Sequence, residues 1–150
     1  MTQTTTLRFF RVDDVMCLIH DERDPAPEDW RVYVAALATA LAEHGVRKLL
    51  VVSAGGGPNA AQRKLLVDAI VPALGGDIRA LKTAVCTSSP LARGITVALG
   101  WLSSASLTGF GYDERRQALD FLAVAVSRQR VVLLAVAGEI DALAAQRGPR

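Results

Sequence analysis

Four aliphatic residues follow one another without interruption at Leu49–Val52. A run of this kind is typical of a central strand in a sheet that is covered on both faces. A glycine-rich turn at Ala54–Pro58 comes next, and Asn59 then offers an N-cap whose capping box is completed by Gln62. We therefore expect a strand, a tight turn and a helix in succession, which is the repeating unit of α/β proteins.

The same alternation extends over most of the chain. Short strands at Thr6–Val12 and Val15–His20, joined at Asp13–Asp14, predict an antiparallel hairpin. Apolar spacing and helix-ending residues predict the later elements, which are helix one from Pro27 to Gly45, strand Val46–Ser53, helix two from Asn59 to Pro72, strand Ile78–Thr87, a third helix from Ser89 and Pro90, strand Leu107–Phe110 and a fourth helix capped by Asp113. The fold class predicted is α/β, with a mixed, mostly parallel sheet that is opened by an N-terminal β-hairpin and flanked by about four helices.

The two ends of the chain carry weaker patterns. Residues 125–150 are expected to form a partly ordered C-terminal extension, in which Val131–Val136 is either an edge strand or part of a helix running towards Ala145. We favour a strand-like segment followed by a short helix. Residues 1–5 are polar and predict a flexible tail, which leaves 6–124 as the α/β domain.

Composition narrows the classes of protein. Of the 150 residues, 51 % are hydrophobic, which is enough for one core, and the net charge of +2 provides no basic field suited to nucleic acid. The start of the chain lacks the layout of a signal peptide and no apolar run is long enough to span a bilayer, so we expect a cytoplasmic protein without membrane insertion. Cys17 and Cys86 lie inside apolar runs at no metal-binding spacing, and they predict buried, inert thiols.

The glycine turn allows two interpretations. Gly55, Gly57 and Ala60 fit the G-x-G-x-x-A form of a dinucleotide fingerprint, and the helix start at Asn59 would suit a phosphate. However, the preceding strand is the third rather than the first, and Thr87–Ser89 stands where the ribose-binding acidic residue is required. We favour a flexible turn whose glycines permit positive φ angles.

A second turn follows strand Ile78–Thr87. Ser88 and Ser89 at a helix start, with Arg93 one turn further on, would suit an anion, but ordinary capping by Ser89 is the preferred interpretation. Because both turns follow parallel strands, both belong at the carboxyl edge of the sheet, where ligands of open α/β sheets bind.

Other residues with suitable chemistry do not form a recognisable active site. His20, Asp21, Glu22 and Asp24 are metal-ligand types, but consecutive residues at a strand end point in different directions, so we expect a solvated acidic loop. Neither histidine has a serine or cysteine nucleophile at a motif spacing. Trp101 is expected to pack in the core. We therefore expect no enzymatic activity, no metal and no cofactor.

Three segments carry a family resemblance, namely Val46–Ser53 (VRKLLVVS), Thr83–Arg93 (TAVCTSSPLAR) and Phe110–Leu122 (FGYDERRQALDFL). They resemble parts of STAS domains, especially of small stand-alone bacterial proteins similar to the sporulation anti-anti-sigma factor. The resemblance implies a STAS-like fold and a module that binds another protein, such as a regulator, a kinase-like protein or a structural partner. In phospho-switched members a Ser or Thr after an Asp begins the helix that follows the central strand. Ser53–Asn59 contains no such pair, so a phospho-switch is not expected here.

The preferred hypothesis is a non-enzymatic regulatory or scaffolding module that binds a partner protein. The partner would contact the glycine turn and the start of helix two. The candidate residues for binding a partner or a ligand are Ser53, Gly55, Gly56, Gly57, Asn59, Ser88, Ser89 and Arg93. A homo-oligomer formed through the C-terminal segment is a further expectation. The alternative is a sensor that binds a nucleotide, phosphate compound or lipid at the carboxyl edge. An enzyme would need a polar pocket that sequence does not reveal.

Overall fold

The computed structural model of the protein describes residues 4–89 and 106–147. Five strands form one sheet in the order β1-β2-β3-β4-β5. The strands are β1 (Leu7–Val12), β2 (Val15–His20), β3 (Lys48–Ser53), β4 (Lys82–Thr87) and β5 (Ser106–Gly111). The α-helices within the described ranges are α1 (Pro27–Glu43), α2 (Ala60–Ala73), α3 (Arg115–Phe121) and α4 (Val126–Gln146).

The sheet opens with a hairpin and continues with parallel strands. β1 pairs antiparallel with β2, so that Leu7 lies opposite His20, and Asp13 takes a φ of 53° in the tight turn between them. Strands β2 to β5 pair parallel, each with the next. The predicted mixed, mostly parallel sheet with an N-terminal hairpin is confirmed. The predicted third helix lies outside the described residues from Pro90 onwards, and so do Arg93 and Trp101.

Two hydrophobic cores lie on opposite faces of this sheet, because successive side chains of a strand point in opposite directions. β3 contributes Leu49 to one core and Leu50 to the other, which explains its unbroken aliphatic run. The first core lies under α1 and α2, and its largest side chains include Trp30 and Tyr33. The second core lies under α3 and α4 and contains mainly Val, Leu and Ala with the two thiols. Leu49–Val52 is therefore an interior strand, as predicted.

The favoured C-terminal prediction was wrong, and the alternative, a helix running towards Ala145, is confirmed. Val131–Val136 is neither an edge strand nor followed by a separate short helix, since residues 126–146 form the single helix α4. The buried residues Gln129, Val132 and Val136 recur every three or four positions and face the sheet. The start of α4 is anchored because the Gln129 Nε2 donates to Asp120 Oδ1 at 2.7 Å and to the Val124 carbonyl at 3.0 Å. Packing on the sheet thus overrides the strand preference of the two adjacent valines.

Two element starts also differ from prediction. The strand expected from Ile78 begins at Lys82, because the Asp77 side chain accepts from the Arg79 amide and starts a 3-10 turn at Ile78–Ala80. α3 has Glu114 rather than Asp113 at its N-cap position.

The first described residues are held in place rather than forming part of a flexible tail. The Asp29 carboxylate in the first turn of α1 accepts hydrogen bonds from the backbone and hydroxyl groups of Thr5 and Thr6. Burial would raise the pKa of Asp29, but these bonds lower it overall. The carboxylate therefore ties the entry of β1 to α1.

Candidate functional site

The carboxyl ends of the parallel strands meet in one row at the edge of the sheet. His20, Ser53, Thr87 and Gly111 end β2 to β5 and are cross-strand neighbours in register. The Ala54 amide donates to the His20 carbonyl at 3.1 Å, and the Ser88 amide donates to the Ser53 carbonyl at 3.4 Å. Both predicted turns therefore begin side by side at this edge, as expected from the topology.

The bend Ser53–Asn59 is held by hydrogen bonds to its own chain. Ser53 Oγ donates to the Gly56 carbonyl at 2.5 Å and accepts from the Gly55 amide at 3.0 Å. The Gly56 amide donates to the Asp21 carbonyl at 2.8 Å. The Gly57 amide points to Asp24 Oδ1 at 3.5 Å. These N–H groups are used within the chain, so the bend lacks the free donors that a dinucleotide fingerprint presents to phosphate.

Gly56 is required by close packing. A Cβ at this position would lie 1.8 Å from the carbonyl oxygen of Arg23, so no larger residue fits without moving backbone. Gly55 beside it has a φ of +135°, which L-residues rarely adopt. The bend and the loop at Asp21–Asp24 therefore form one packed unit. The sequence predicted a flexible turn instead, because contacts with a loop so distant in the sequence cannot be inferred from local patterns.

The start of α2 is fixed by the predicted capping box, which is confirmed. Asn59 Oδ1 accepts from the Gln62 amide at 2.8 Å, and Gln62 Oε1 accepts from the Asn59 amide at 3.0 Å. Gln62 also donates through Nε2 to the Pro25 carbonyl at 3.1 Å, and its own carbonyl accepts from Trp30 Nε1 at 2.8 Å. The N-termini of α1 and α2 are thereby joined, while Asn59 itself stays exposed.

Ion pairs hold the loop that supports the bend. The Arg23 guanidinium makes several hydrogen bonds to the Asp21 carboxylate, the shortest at 2.7 Å. Arg147, just after α4, contacts Asp21 at 3.3 Å and makes a short ion pair with Glu22. Burial would raise the pKa of Asp21, but hydrogen bonds from Arg23 and Arg147 lower it overall. Within the described ranges no three His, Cys, Asp or Glu side chains come together to hold a metal ion.

His20 is a feature that the sequence interpretation missed. The sequence places it at the end of the second strand and groups it with a solvated acidic loop, yet it is 3 % exposed and stacks on Trp30 with ring centroids 6.2 Å apart. Neither ring nitrogen has a hydrogen-bond partner among the described residues. Burial lowers the pKa of His20 to about 4, against the opposing pull of Asp21 and Asp24. The imidazole is therefore neutral near pH 7, and the burial of β2 as an interior strand is the signal that would have found it.

The two thiols are buried, as predicted. Burial raises the pKa of Cys17 and of Cys86 to about 12. A thiol with so high a pKa carries almost no thiolate near neutral pH, so neither is activated as a nucleophile.

The structure describes the second turn only as far as Ser89. The Ser89 amide donates to Thr87 Oγ1 at 3.1 Å, so that Thr87, which is fully buried, closes the turn. Ser88 is exposed beside the bend. Because Arg93 lies outside the described residues, the predicted pairing of Ser88, Ser89 and Arg93 stays a prediction.

The hairpin-opened sheet with helices on both faces is a SpoIIAA-like, or STAS-like, α/β fold. The solved structure of an uncharacterized protein of the DUF3478 family from Shewanella loihica PV-4, described as having a SpoIIAA-like fold, is similar to this chain with a TM-score of 0.55. The two are 16 % identical, and the match covers 81 % of this chain and 98 % of the other. This likeness shows the fold. No protein-family model matches the sequence, and no curated protein matches it.

Within residues 4–89 and 106–147, no helix combines the length and the apolar character needed to cross a bilayer.

Proposed function

We propose that the protein is a non-enzymatic regulatory or scaffolding module that binds a partner protein at the carboxyl edge. The contact surface, here called the bend surface, consists of the exposed residues Gly55, Asn59, Ala61 and Leu65. The observation that carries the proposal is the rigid bend, which is fixed by its internal hydrogen bonds and by the fit of Gly56 against Arg23. A preformed surface binds a partner with little loss of conformational entropy.

The chemistry of the bend surface also favours a protein partner. Leu65 is 43 % exposed at the outward side of α2, one turn beyond Ala61, and both follow the polar cap at Asn59. An apolar side chain beside polar backbone and amide groups is typical of protein contact surfaces. The described thiols and His20 lack the activation that acid–base or nucleophilic catalysis requires, which supports a binding role over an enzymatic one.

A small-ligand sensor is the weaker alternative. A groove of about 580 Å³ lies along β1 and α1, where its lining includes Phe9, Met16 and Thr39, and the bend does not border it. The amide groups of the bend are already paired within the chain. Thermal-shift screening with nucleotides, inorganic phosphate and fatty acids separates the two proposals, because a ligand of the native state raises the melting temperature.

Site-specific photo-crosslinking tests the protein-binding proposal directly. A photoreactive residue at exposed Ala61 is expected to capture one protein in cells of the source organism, whereas one at Glu43, exposed at the far end of α1, is not. Leu65→Glu should abolish the adduct, since it places a charge in the apolar part of the bend surface. Equal adducts at both positions, or an adduct that Leu65→Glu leaves unchanged, would contradict the proposal.

A further inference from the structure

The outer face of α4 is unusually apolar for a helix face that meets solvent. Eight exposed residues lie within about 60° of Leu134 around the helix axis, at 100° per residue. They are Ser127, Arg130, Val131, Leu134, Ala137, Gly138, Asp141 and Ala145, and are called the α4 outer face. Leu134 is 64 % exposed and Val131 is 40 % exposed. Solvent-facing helix stripes are normally charged or polar, so the composition of this face indicates a contact.

Gly138 adds an independent observation. It lies in the interior of the 21-residue helix, where glycine is less favourable than every residue except proline. Among the described residues, a Cβ at this position would meet nothing within 4 Å, so neither space nor backbone conformation there requires a glycine. A second helix approaching closely at this point would explain it, because a small residue lets two helix backbones come together.

The charges of the α4 outer face are arranged for a second copy of the same chain. Arg130 and Asp141 carry its charges and make no ion pair with other described residues. The midpoint between Arg130 and Asp141 is also the midpoint between Leu134 and Ala137. A two-fold axis through that point sets Arg130 of each copy opposite Asp141 of the other, and Leu134 of each opposite the small residues Ala137 and Gly138 of the other.

We propose that the α4 outer face is the contact between two copies of this chain, packed antiparallel about that axis. A membrane surface fits less well, because helices that lie on membranes carry several basic residues and this face carries one arginine balanced by one aspartate. The helix is about 30 Å long, and one helix pair buries less than the roughly 1,200 Å² of a standard stable interface. The dimer is therefore weak and reversible. It leaves the bend surface, on the other face of the sheet, free for a partner, and it does not depend on the function proposed above.

Sedimentation of the full chain from about 1 µM to about 1 mM, a range that brackets weak association, tests this interface. The mass is expected to rise with concentration from the 16.0 kDa of one chain towards twice that value. Leu134→Glu should keep the protein monomeric across the range. Leu65→Glu, which changes a similarly exposed leucine on α2, is the matched control and should leave association unchanged. Circular dichroism of each variant checks that the fold is retained.

Charge reversal tests the antiparallel register. Arg130→Asp alone and Asp141→Arg alone each place like charges opposite one another and should weaken the dimer at least about tenfold, whereas the double variant should restore it. A protein that stays monomeric at the highest concentration would overturn the proposal. So would a dimer that ignores Leu134→Glu, or single and double reversals that behave alike. Co-sedimentation of the monomer with phosphatidylcholine–phosphatidylglycerol vesicles, lost in Leu134→Glu, would assign the face to lipid and overturn it as well.

Discussion

The first core is built around aromatic rings, whereas the second is built from aliphatic side chains and thiols. Trp30 and Tyr33 lie 5.3 Å apart between ring centroids, and His20 stacks on the same tryptophan. The second core has its aromatic rings, among them Phe110 and Phe121, only at its margin. The two cores also differ in the hydrogen bonding of their buried polar groups. Among the described residues, the His20 ring nitrogens and the Tyr33 hydroxyl are buried without hydrogen-bond partners in the first core, while the Gln129 side chain beside the second core donates two hydrogen bonds.

This difference indicates that the two cores, one on each face of the sheet, have different roles. The first core supports the carboxyl edge, because Trp30 joins α1 to the start of α2 through the Gln62 carbonyl. The second core supports α4, whose other side carries the apolar outer face. Stability and acid sensitivity should therefore be concentrated in the first core, and self-association should depend on the helix over the second.

Removal of the Trp30 ring should have the largest effect on stability. Trp30→Ala is expected to reduce the free energy of unfolding by about 3–5 kcal/mol, because Trp30 is fully buried and its loss leaves a cavity and removes the hydrogen bond from its ring to the Gln62 carbonyl. Val132→Ala, its counterpart in the second core, should cost about 1–3 kcal/mol. Urea denaturation measures both. Equal losses would remove the distinction between the two cores.

Acidification should lower the stability of the folded protein, because His20 is protonated more readily in the unfolded chain. Its pKa is about 4 in the folded chain and 6.5 in the unfolded chain, so the unfolded state binds the extra proton first. Stability is therefore complete above pH 6.5 and is lost as the pH falls towards 4, by about 3 kcal/mol in all. Asp21 and Asp29, whose folded pKa values are lowered, lose their contribution only below their ordinary value of 3.8.

The variant His20→Leu separates these contributions. Urea titrations between pH 7 and pH 4.5 should show a flat profile for this variant and a steep one for the unchanged protein. A steep profile in both would assign the acid sensitivity to other groups.

Substitution at the bend should have an intermediate effect. Gly56→Ala is expected to destabilise the fold by about 1–3 kcal/mol, because its Cβ meets the Arg23 carbonyl. Gly57→Ala is the matched control, since a Cβ there meets none of the described residues within 4 Å and the φ of Gly57 is not positive. Thermal melts of the two variants should differ clearly. Similar melting temperatures would mean that the loop at Asp21–Asp24 moves aside easily.

The smallest expected effect is a gain in stability. Gly138→Ala should raise the free energy of unfolding of the monomer by about 0.5–1 kcal/mol, because alanine is the better helix former and the new methyl group meets no neighbouring element of the described structure within 4 Å. Urea denaturation at low micromolar concentration isolates the monomer. A loss of stability would mean that residues of this chain pack on Gly138 after all.

Local patterns in the sequence predicted most of the fold. The hairpin turn, the interior strand at Leu49–Val52 and the Asn59–Gln62 capping box depend on residues close in sequence, and all three were confirmed. The C-terminal helix was only the second choice because Val131 and Val132 suit a strand as well as a helix by local preference. The position of Gln129 against Asp120 and Val124 decides between them, and that contact exists only in the folded chain.

The site was less predictable than the fold. The location of the site at the carboxyl edge followed from the predicted topology of the sheet. The rigidity of the bend, however, depends on contacts between Gly56 and a loop more than 30 residues earlier in the sequence. The pairing of Arg147 with Asp21 and Glu22 spans 126 and 125 residues. No short motif encodes contacts at such separations. The acidic loop was predicted to be solvated, whereas ion pairs with Arg23 and Arg147 hold it in one shape.

The loop at Asp21–Asp24 also brings the two ends of the described chain to one corner. Arg23 donates through Nη2 to the Thr5 carbonyl at 2.9 Å, and Arg147 pairs with Asp21 at 3.3 Å. A short linker would therefore close the backbone into a ring, and cutting it at the exposed Asp13–Asp14 turn would yield a circular permutant. Strand β1 would then be translated last instead of first while keeping its place beside β2.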